Sequence, residues 1–345
     1  MPGPSVPLIP PRPAPAATRH FSWHGRKARS VAYQVLAVLA IALLGWLLVS
    51  NTLANMRLRG IQSGFDFLWQ PAGFDIGEGW LSYDSASPYW KAFLVGIVNT
   101  LRVALIGCVL ATVLGTLLGV ARFSRNALLR ALSYGYVELF RNIPLLLQLL
   151  MWYLLFIEYL PPSNEALNIG KAIFLSKNGL SFPSLTWEHG QLQFQLPVAG
   201  EMQVEGGSAL SPEFMAVLLG LVLYTSAFIA EVVRAGIASV PKGQHEAGAS
   251  IGLSRARSMR LIVLPQALRL IIPPLTNQYL NLTKNSSLAV AVGYPELVSI
   301  ANTSLNQSGR AVECIAIIML VYLLLSLFTS ALMNWFNRRA AIKER

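Results

Sequence analysis

Ionisable and amide side chains within apolar segments are the residues of this chain best placed to do chemistry. They interrupt the stretches YVELFRNIPLLLQLL and NQYLNLTKNSSLAVAVG. A charge at membrane depth costs about 2.5–3.5 kcal/mol on insertion scales, so each such group needs a partner or a function. We expect these groups to border a pathway for a polar solute. The candidate pathway residues are Glu138, Arg141, Asn142, Lys284, Asn285 and Ser286.

Purely structural explanations of the same charges stay open. Glu138 and Arg141 are three residues apart, on one face of a helix, and could pair with each other. Lys284 could bind a carboxylate substrate, or it could neutralise Glu138 or Glu231 on a neighbouring helix. Glu231 and Arg234 are also three apart, and we expect them to pair at the membrane boundary.

A second feature is the stretch EAGASIGLSRARSMRLIVLP, which runs from Glu246 to Pro265 between two apolar segments. Pro241 suits the first turn of a short helix, and the small residues that follow Glu246 would let another surface approach closely. Gly252 can take the left-handed conformation that ends a helix, and Ser254 is expected to cap the next one. The pattern predicts a helix-turn-helix that either only connects two spans or docks a partner.

The composition is that of a membrane protein. Hydrophobic residues make up 54% of the 345 residues, charged residues only 12%, and mean hydropathy is +0.51, whereas soluble domains carry about 25% charged residues. The net charge of +11 is concentrated in the tails and certain loops. This distribution indicates membrane lipid rather than nucleic acid as the partner.

No catalytic site or metal site is predicted. The four histidines, His20, His24, His189 and His245, all fall in tails or loops without metal-ligand spacing. The chain also has no G-x-x-x-x-G-K-[ST] phosphate loop, so we expect no cofactor on this chain and ATP, if used, on another polypeptide.

Six segments are long and apolar enough to be membrane helices. Pro144 predicts a kink in the third segment, and Pro273 with Pro274 predicts a break in the fifth. The Pro-rich, basic tail 1–30 is predicted to be disordered, and the first segment is interpreted as an uncleaved helix. The predicted helices are 31–50, 92–120, 132–157, 212–233, 270–293 and 312–336.

Charge counts in the connections predict the orientation of these helices. Both tails, 1–30 and 337–345, are basic and expected in the cytoplasm, as is the loop 234–265. The acidic connections 51–91 and 158–211 are expected outside, in the periplasm. The outer loop 158–211 alternates apolar and polar residues in a way that predicts a β-hairpin, either as a spacer or as a contact for a binding protein.

The stretch 246–265 resembles the EAA loop of ABC-transporter permeases, with Gly248 where the family has alanine. Further matches are FRNIPLLLQ, AFIAEVVRAGI and LTKNSSLAVAVG. Together they resemble the polar amino-acid uptake family of ABC importer permeases, and the upstream GFDFL and GFDIG stretches resemble the Q subunit of general L-amino-acid transporters. The resemblance implies an all-α integral membrane protein with a MetI-like, type I importer core of five helices, at 92–336, and one additional N-terminal helix.

The resemblance also implies partners and residue roles. These partners are ABC ATPase subunits, a second and related permease subunit, and a periplasmic amino-acid-binding protein, all at the bacterial inner membrane. Three functions are alternatives to the one that the resemblance implies: an ABC permease for another small solute, an ATPase-independent transporter or channel, and an intramembrane enzyme. The implied ATPase-coupling residues are Glu246, Ala247, Gly248, Gly252 and Pro265.

Overall fold

The computed structural model describes residues 26–58, 60, 63–170, 172–188, 191–200 and 204–340. Most of the tail 1–30 that was predicted to be disordered lies outside the described residues, as does the end of the C-terminal tail. Residues 26–30 are helical, so the prediction is wrong for them. The chain divides into two compact units, with the boundary after Gln62. Five described helices are long and apolar enough to cross a membrane, or six if one bent pair is a single span.

Among its described residues, the first unit holds one helix, α1 (Arg26–Leu58). It is longer than the predicted segment 31–50 because neither flank contains a glycine or proline to end it. Its 33 residues extend about 50 Å at 1.5 Å per residue, which exceeds the roughly 30 Å hydrocarbon core. The helix can therefore cross the membrane and continue beyond it.

The second unit is a bundle of long helices. Its spans are α2 (Tyr89–Ala121), α5 (Pro212–Ala238), α8 (Leu264–Asn285) and α10 (Ala311–Ala340). Short helices α6 (Lys242–Ser250) and α7 (Arg255–Ser258) connect α5 to α8, and α9 (Leu297–Ser308) connects α8 to α10.

The predicted kink at Pro144 is confirmed in position, but the prediction of one continuous helix over 132–157 is wrong. Two helices occupy this region, α3 (Ala127–Asn142) and α4 (Leu145–Tyr159), and the chain bends by 103° between them. Pro144 lacks an N–H and forces extended backbone on Ile143, which has φ −94° and ψ 128°. The buried Gln148 donates to the carbonyls of Phe140 and Ile143 at 3.0 and 2.9 Å. This side chain satisfies two of the carbonyls left free by the break.

The predicted break of the fifth segment at Pro273 and Pro274 is also wrong. Helix α8 continues through both prolines and ends only at Asn285. The next seven residues, Ser286–Val292, wind more tightly as a 3-10 helix, which ends at Gly293 with φ 82°. The polar sequence at 284–287 thus marks the change of helix type, and the prolines lie well inside the helix.

The connection 158–211 contains small antiparallel sheets in addition to the helices of the bundle. Strands β1 (Leu167–Ile169), β2 (Ile173–Ser176), β3 (Gly179–Phe182) and β8 (Ser208–Leu210) form one sheet in the order β1-β2-β3-β8. Strands β4 (Ser184–Glu188) and β5 (Gln191–Gln195) form the predicted hairpin, which is confirmed. A third pair joins β6 (Val198–Ala199) to β7 (Val204–Glu205).

Helices α2 and α5 pack with their backbones in near contact. A Cβ atom on Gly115 would lie 2.7 Å from both the Ile229 Cβ and the Ser226 carbonyl oxygen. One on Gly119 would lie 2.7 Å from the Ala230 carbonyl oxygen. Small residues at a crossing allow this approach, which is the usual basis of helix packing in membranes. The crossing fixes the ends of α2 and α5 relative to each other.

This packing predicts that Gly115→Ala destabilises the protein by about 1–3 kcal/mol, because the methyl group would push α2 away from α5. The measurement is the thermal unfolding midpoint of the detergent-purified chain. Gly135→Ala is the matched control, because a Cβ on Gly135 meets no atom within 4 Å. Equal midpoints for the two variants would contradict the close crossing.

Candidate functional site

The loop between α5 and α8 presents one short helix to solvent. Every residue of α6 is exposed except Gly248. Pro241 lies immediately before α6 rather than inside its first turn. The side chains of Glu246 and Ala247 are therefore free to contact another molecule, and the fold itself does not need them.

Gly248 is buried because α6 lies against the segment that follows it. A Cβ on Gly248 would lie 2.9 Å from Ile262 Cδ1 and 3.0 Å from Ser258 Oγ. The glycine at this position, where the family pattern has alanine, thus lets the two segments approach closely. The contact holds the exposed face of α6 in a fixed orientation.

Glycine and proline shape the rest of this loop. Gly252 has φ 76°, as predicted, and the N–H of Leu253 donates to the Gly248 carbonyl at 3.0 Å, which closes the end of α6. Ser254 lies at the start of α7, but its side chain accepts no capping hydrogen bond, so the predicted cap is wrong. Pro265 lies in the first turn of α8, directly after a π-helical turn over Met259–Val263.

A cavity of about 380 Å³ lies between the α3–α4 break, α5 and α8. The Arg141 guanidinium lies on its wall, 5.1 Å from the centre of the Phe228 ring. Glu231 and Gln278 supply a carboxylate and an amide. The other lining residues are Val232, Ala235, Gly236, Ser239, Leu270 and Pro274. The cavity therefore offers both charges and an amide beside apolar walls.

The predicted pair of Glu138 with Arg141 does not form among the described residues. Asn142 instead donates to the Glu138 backbone carbonyl at 2.7 Å and to its carboxylate at 3.4 Å. Glu138 is half-buried, whereas Arg141 and Asn142 are exposed. The guanidinium of Arg141 is thus turned to the cavity and Phe228 rather than to its own helix.

Glu231 accepts hydrogen bonds from two arginines. The predicted pair with Arg234 is confirmed, and Arg122 adds a contact of 2.9 Å. Sequence analysis missed Arg122 because it is distant in the chain and no local spacing joins it to Glu231. Gln278 lies at the start of the polar stretch quoted above but was not among the predicted pathway residues, which in that stretch are Lys284, Asn285 and Ser286.

Lys284 does not neutralise Glu138 or Glu231, contrary to one reading of the sequence. Its side chain is exposed, and Glu231 is already paired with the two arginines. Asn285 is half-buried, and the buried Ser286 donates to the Thr283 carbonyl at 2.7 Å. These three residues lie about 9 Å or more along the helix axis from Gln278, outside the lining of the cavity.

A buried ion pair joins the opposite end of the bundle to the preceding segment. Arg102 Nη1 lies 2.6 Å from Glu78 Oε1, and its guanidinium lies 4.1 Å from the centre of the Phe214 ring. Ser211 donates to the same carboxylate, and the centre of the Trp80 ring lies 5.2 Å from the guanidinium. The pair ties α2, the start of α5 and the segment 63–88 together.

Glu296 forms a second buried polar centre beside this pair. It precedes α9, accepts from the Ser299 N–H at 2.9 Å and from the Tyr322 hydroxyl at 3.1 Å, and is completely buried. Burial is the main cause that raises the pKa of Glu296 from 4.5 to about 7, against hydrogen bonds that lower it. The connection between α8 and α10 therefore carries a carboxyl that titrates near neutral pH.

The long apolar spans, the broken third helix and the exposed loop helix define a membrane permease. The chain belongs to the family described as binding-protein-dependent transport system inner membrane component, whose model matches residues 111–342. It is therefore an inner-membrane permease component of this class of transport system, and its fold is the MetI-like fold of ABC importer permeases.

Similar proteins cover nearly the whole chain. The general L-amino acid transport system permease protein AapQ of Rhizobium johnstonii is 42% identical, over 92% of this chain and 94% of its own length. The putative amino-acid ABC transporter permease protein YhdX of Escherichia coli is 43% identical, over 94% and 97%. The glutamate/glutamine/aspartate/asparagine transport system permease protein BztB of Rhodobacter capsulatus is 34% identical, over 92% and 95%.

Solved structures share the fold of the bundle. A crystal structure of an amino acid ABC transporter with histidines is 25% identical with a TM-score of 0.54, and the match covers 73% of this chain and 95% of that one. An inward-facing MetNI methionine ABC transporter is 18% identical with a TM-score of 0.51, over 73% and 97%, and supports the fold alone.

The titration of Glu296 predicts how stability depends on pH. Because the folded state raises the pKa to about 7, ionising the buried carboxyl costs stability progressively from pH 4.5 upward, and the cost is fully present above pH 7. Glu296→Gln removes this cost. Its unfolding midpoint should match that of the native chain near pH 4.5 and exceed it at about pH 8, in thermal unfolding measured across this range. The same offset at every pH would contradict the assignment.

Proposed function

We propose that this chain is the permease subunit that carries polar L-amino acids inward, with ATP hydrolysed on a separate subunit. The names of the full-length relatives support the substrate class, since three similar permeases are named for amino acids. No reacting group is needed on this chain for that function. Its task is to open a polar path through the hydrocarbon core in response to movements of its partners.

The cavity beside the helix break is the observation that carries the proposal. The Arg141 guanidinium faces the cavity and forms no direct ion pair among the described residues. Glu231, on the same wall, is already hydrogen-bonded to Arg122 and Arg234, so the α-carboxylate of an amino acid can bind Arg141 directly. Gln278 offers an amide for a polar side chain, and Phe228 offers an apolar face. Two arginines already share Glu231, so the site carries excess positive charge. Acidic and neutral polar amino acids fit this balance better than cationic ones.

The pathway residues predicted from the sequence fall into two groups, one at the end of α3 beside the cavity and one at the end of α8. Arg141 lines the cavity, and Glu138 and Asn142 lie on the same last turns of α3 before the break. Lys284, Asn285 and Ser286 lie farther along α8, at its change of helix type. We assign them to the continuation of the path beyond the cavity.

The exposed face of α6 is the proposed docking site for the ATPase. Glu246 and Ala247 lie on a helix whose one buried residue, Gly248, packs against the segment that follows, so a force on the helix can pass to α8 through this contact. Gly252 turns the chain after α6, and Pro265 lies in the first turn of α8. The remaining proposed partners are a second, related permease and a periplasmic amino-acid-binding protein, with both termini of this chain in the cytoplasm.

Docking at α6 predicts that Glu246→Ala weakens binding of the ATPase subunit about tenfold, a typical loss for one important interface side chain. The measurement is ATPase recovery on tagged permease as salt is raised. Glu165→Ala is the control, because Glu165 is an exposed acid in the outer loop. Unchanged recovery for Glu246→Ala, or an equal loss for the control, would argue against α6 as the docking helix.

Carboxylate binding in the cavity predicts that Arg141→Gln raises the KM for uptake of labelled glutamate or glutamine about tenfold or more, since one charged hydrogen bond is lost. Arg141→Lys should retain part of the affinity, because it keeps the charge but not the planar fork. Arg125→Gln, an exposed arginine away from the cavity, is the control.

Two results would count against different parts of this proposal. Normal KM in Arg141→Gln would remove this residue from the path without touching the substrate class. Transport of a sugar or an inorganic ion by the native complex, with no amino-acid uptake, would favour the alternative of an importer for another solute.

A further inference from the structure

A second polar site lies where α2, α3 and α5 meet, at the same end of the bundle as the α6 loop. It is an open pocket of about 580 Å³. Arg122, Arg130 and Arg234 contribute three guanidinium groups to its lining. The rest of the wall is apolar or aromatic and is formed by Phe123, Ala127, Ala131, Tyr134 and Gly135.

The positive charge of this pocket is only partly neutralised. Arg122 and Arg234 share the single carboxylate of Glu231. Arg130 donates to the Ser124 backbone carbonyl at 3.2 Å, and the described residues provide no carboxylate within ion-pair distance of it. Three guanidinium groups therefore face one carboxylate, which leaves the pocket with an excess of positive charge for an anion.

The pocket lies at the edge of the apolar spans. Arg122 directly follows α2, and Arg234 is in the last two turns of α5. The Phe123 and Tyr134 side chains are 45% and 53% exposed, and the Arg122 guanidinium lies 5.1 Å from the centre of the Tyr134 ring. Aromatic rings and arginines together are typical of the headgroup layer of a membrane. An occupant must therefore combine an anionic group with an apolar body.

We propose that this pocket binds the phosphate headgroup of an anionic phospholipid of the inner leaflet. The arginines would hold the phosphate oxygens through charged, forked hydrogen bonds, and the Phe123–Tyr134 wall would contact the glycerol and the first acyl carbons. Glu231 joins this pocket to the transport cavity, because it pairs with Arg122 and Arg234 and also lines the cavity beside Arg141. Bound lipid would pull Arg122 and Arg234 toward the pocket and weaken their hydrogen bonds to Glu231. The Glu231 carboxylate would then be more available to the transport cavity.

Lipid binding can be tested with the full chain purified together with its partner subunits. Dioleoylphosphatidylglycerol is titrated into the detergent-solubilised complex, and bound lipid is counted by native mass spectrometry. Arg130→Gln should weaken binding about fivefold, the effect of one arginine at an anionic surface. Arg130→Lys should bind nearly as well as the native chain. Arg125→Gln is the matched control, because Arg125 belongs to the same connection but does not line the pocket.

Four outcomes would overturn the proposal. Equal losses in Arg130→Gln and Arg125→Gln would indicate diffuse attraction rather than a site. Equal binding of dioleoylphosphatidylcholine would show that the negative charge is irrelevant, and full displacement of the lipid by inorganic phosphate would make this a site for a free anion. If Arg130→Gln lowers ATPase recovery and leaves lipid binding unchanged, the pocket contacts protein instead. Unaltered uptake in Arg130→Gln is compatible with the proposal, since binding is the readout.

Discussion

The close crossing of α2 and α5 is the constraint on which the rest of the structure depends. Gly115 and Gly119 bring the two backbones together, and this places Arg122, just beyond α2, beside Glu231 of α5. The same approach puts Arg102 near the start of α5 at the opposite end. One apolar crossing thus fixes two polar centres, in a medium where an unpaired charge is costly.

The break between α3 and α4 is subject to a second constraint, which is the hydrogen bonding of the backbone. Irregular backbone at membrane depth is tolerated only where protein or water satisfies it. Gln148 meets that need at the α3–α4 bend, and the bend gives Arg141 a position on the cavity wall. Gln148, which hydrogen-bonds the carbonyls at the bend, therefore supports the position of Arg141 on the cavity wall. In the α6 loop, by contrast, Gly248 is the one buried residue of the helix, which leaves the other side of α6 exposed to a partner.

Features that depend on a local sequence pattern could be predicted from the sequence. Features that depend on contacts between residues far apart in the chain could not. The apolar lengths, the EAA spacing and the left-handed Gly252 are local, and the fold class, family and turn followed from them. The 103° bend was underestimated because a proline signals a kink but not its angle, which depends on packing against α5. The break predicted at Pro273 and Pro274 was wrong for the same reason. A helix can continue through prolines when neighbouring helices stabilise it by packing. Arg102 lies within an apolar run, and its partner Glu78 comes from a separate loop that no spacing connects to it.

The central claim is that this permease moves amino acids with energy from a partner's ATP hydrolysis. The most direct measurement is uptake of labelled amino acid into proteoliposomes that contain the complex isolated from native membranes, with ATP sealed inside and the binding protein outside. We expect uptake that requires internal ATP and stops when a non-hydrolysable analogue replaces it. Uptake by the chain alone, driven by a sodium or proton gradient without ATP, would contradict it.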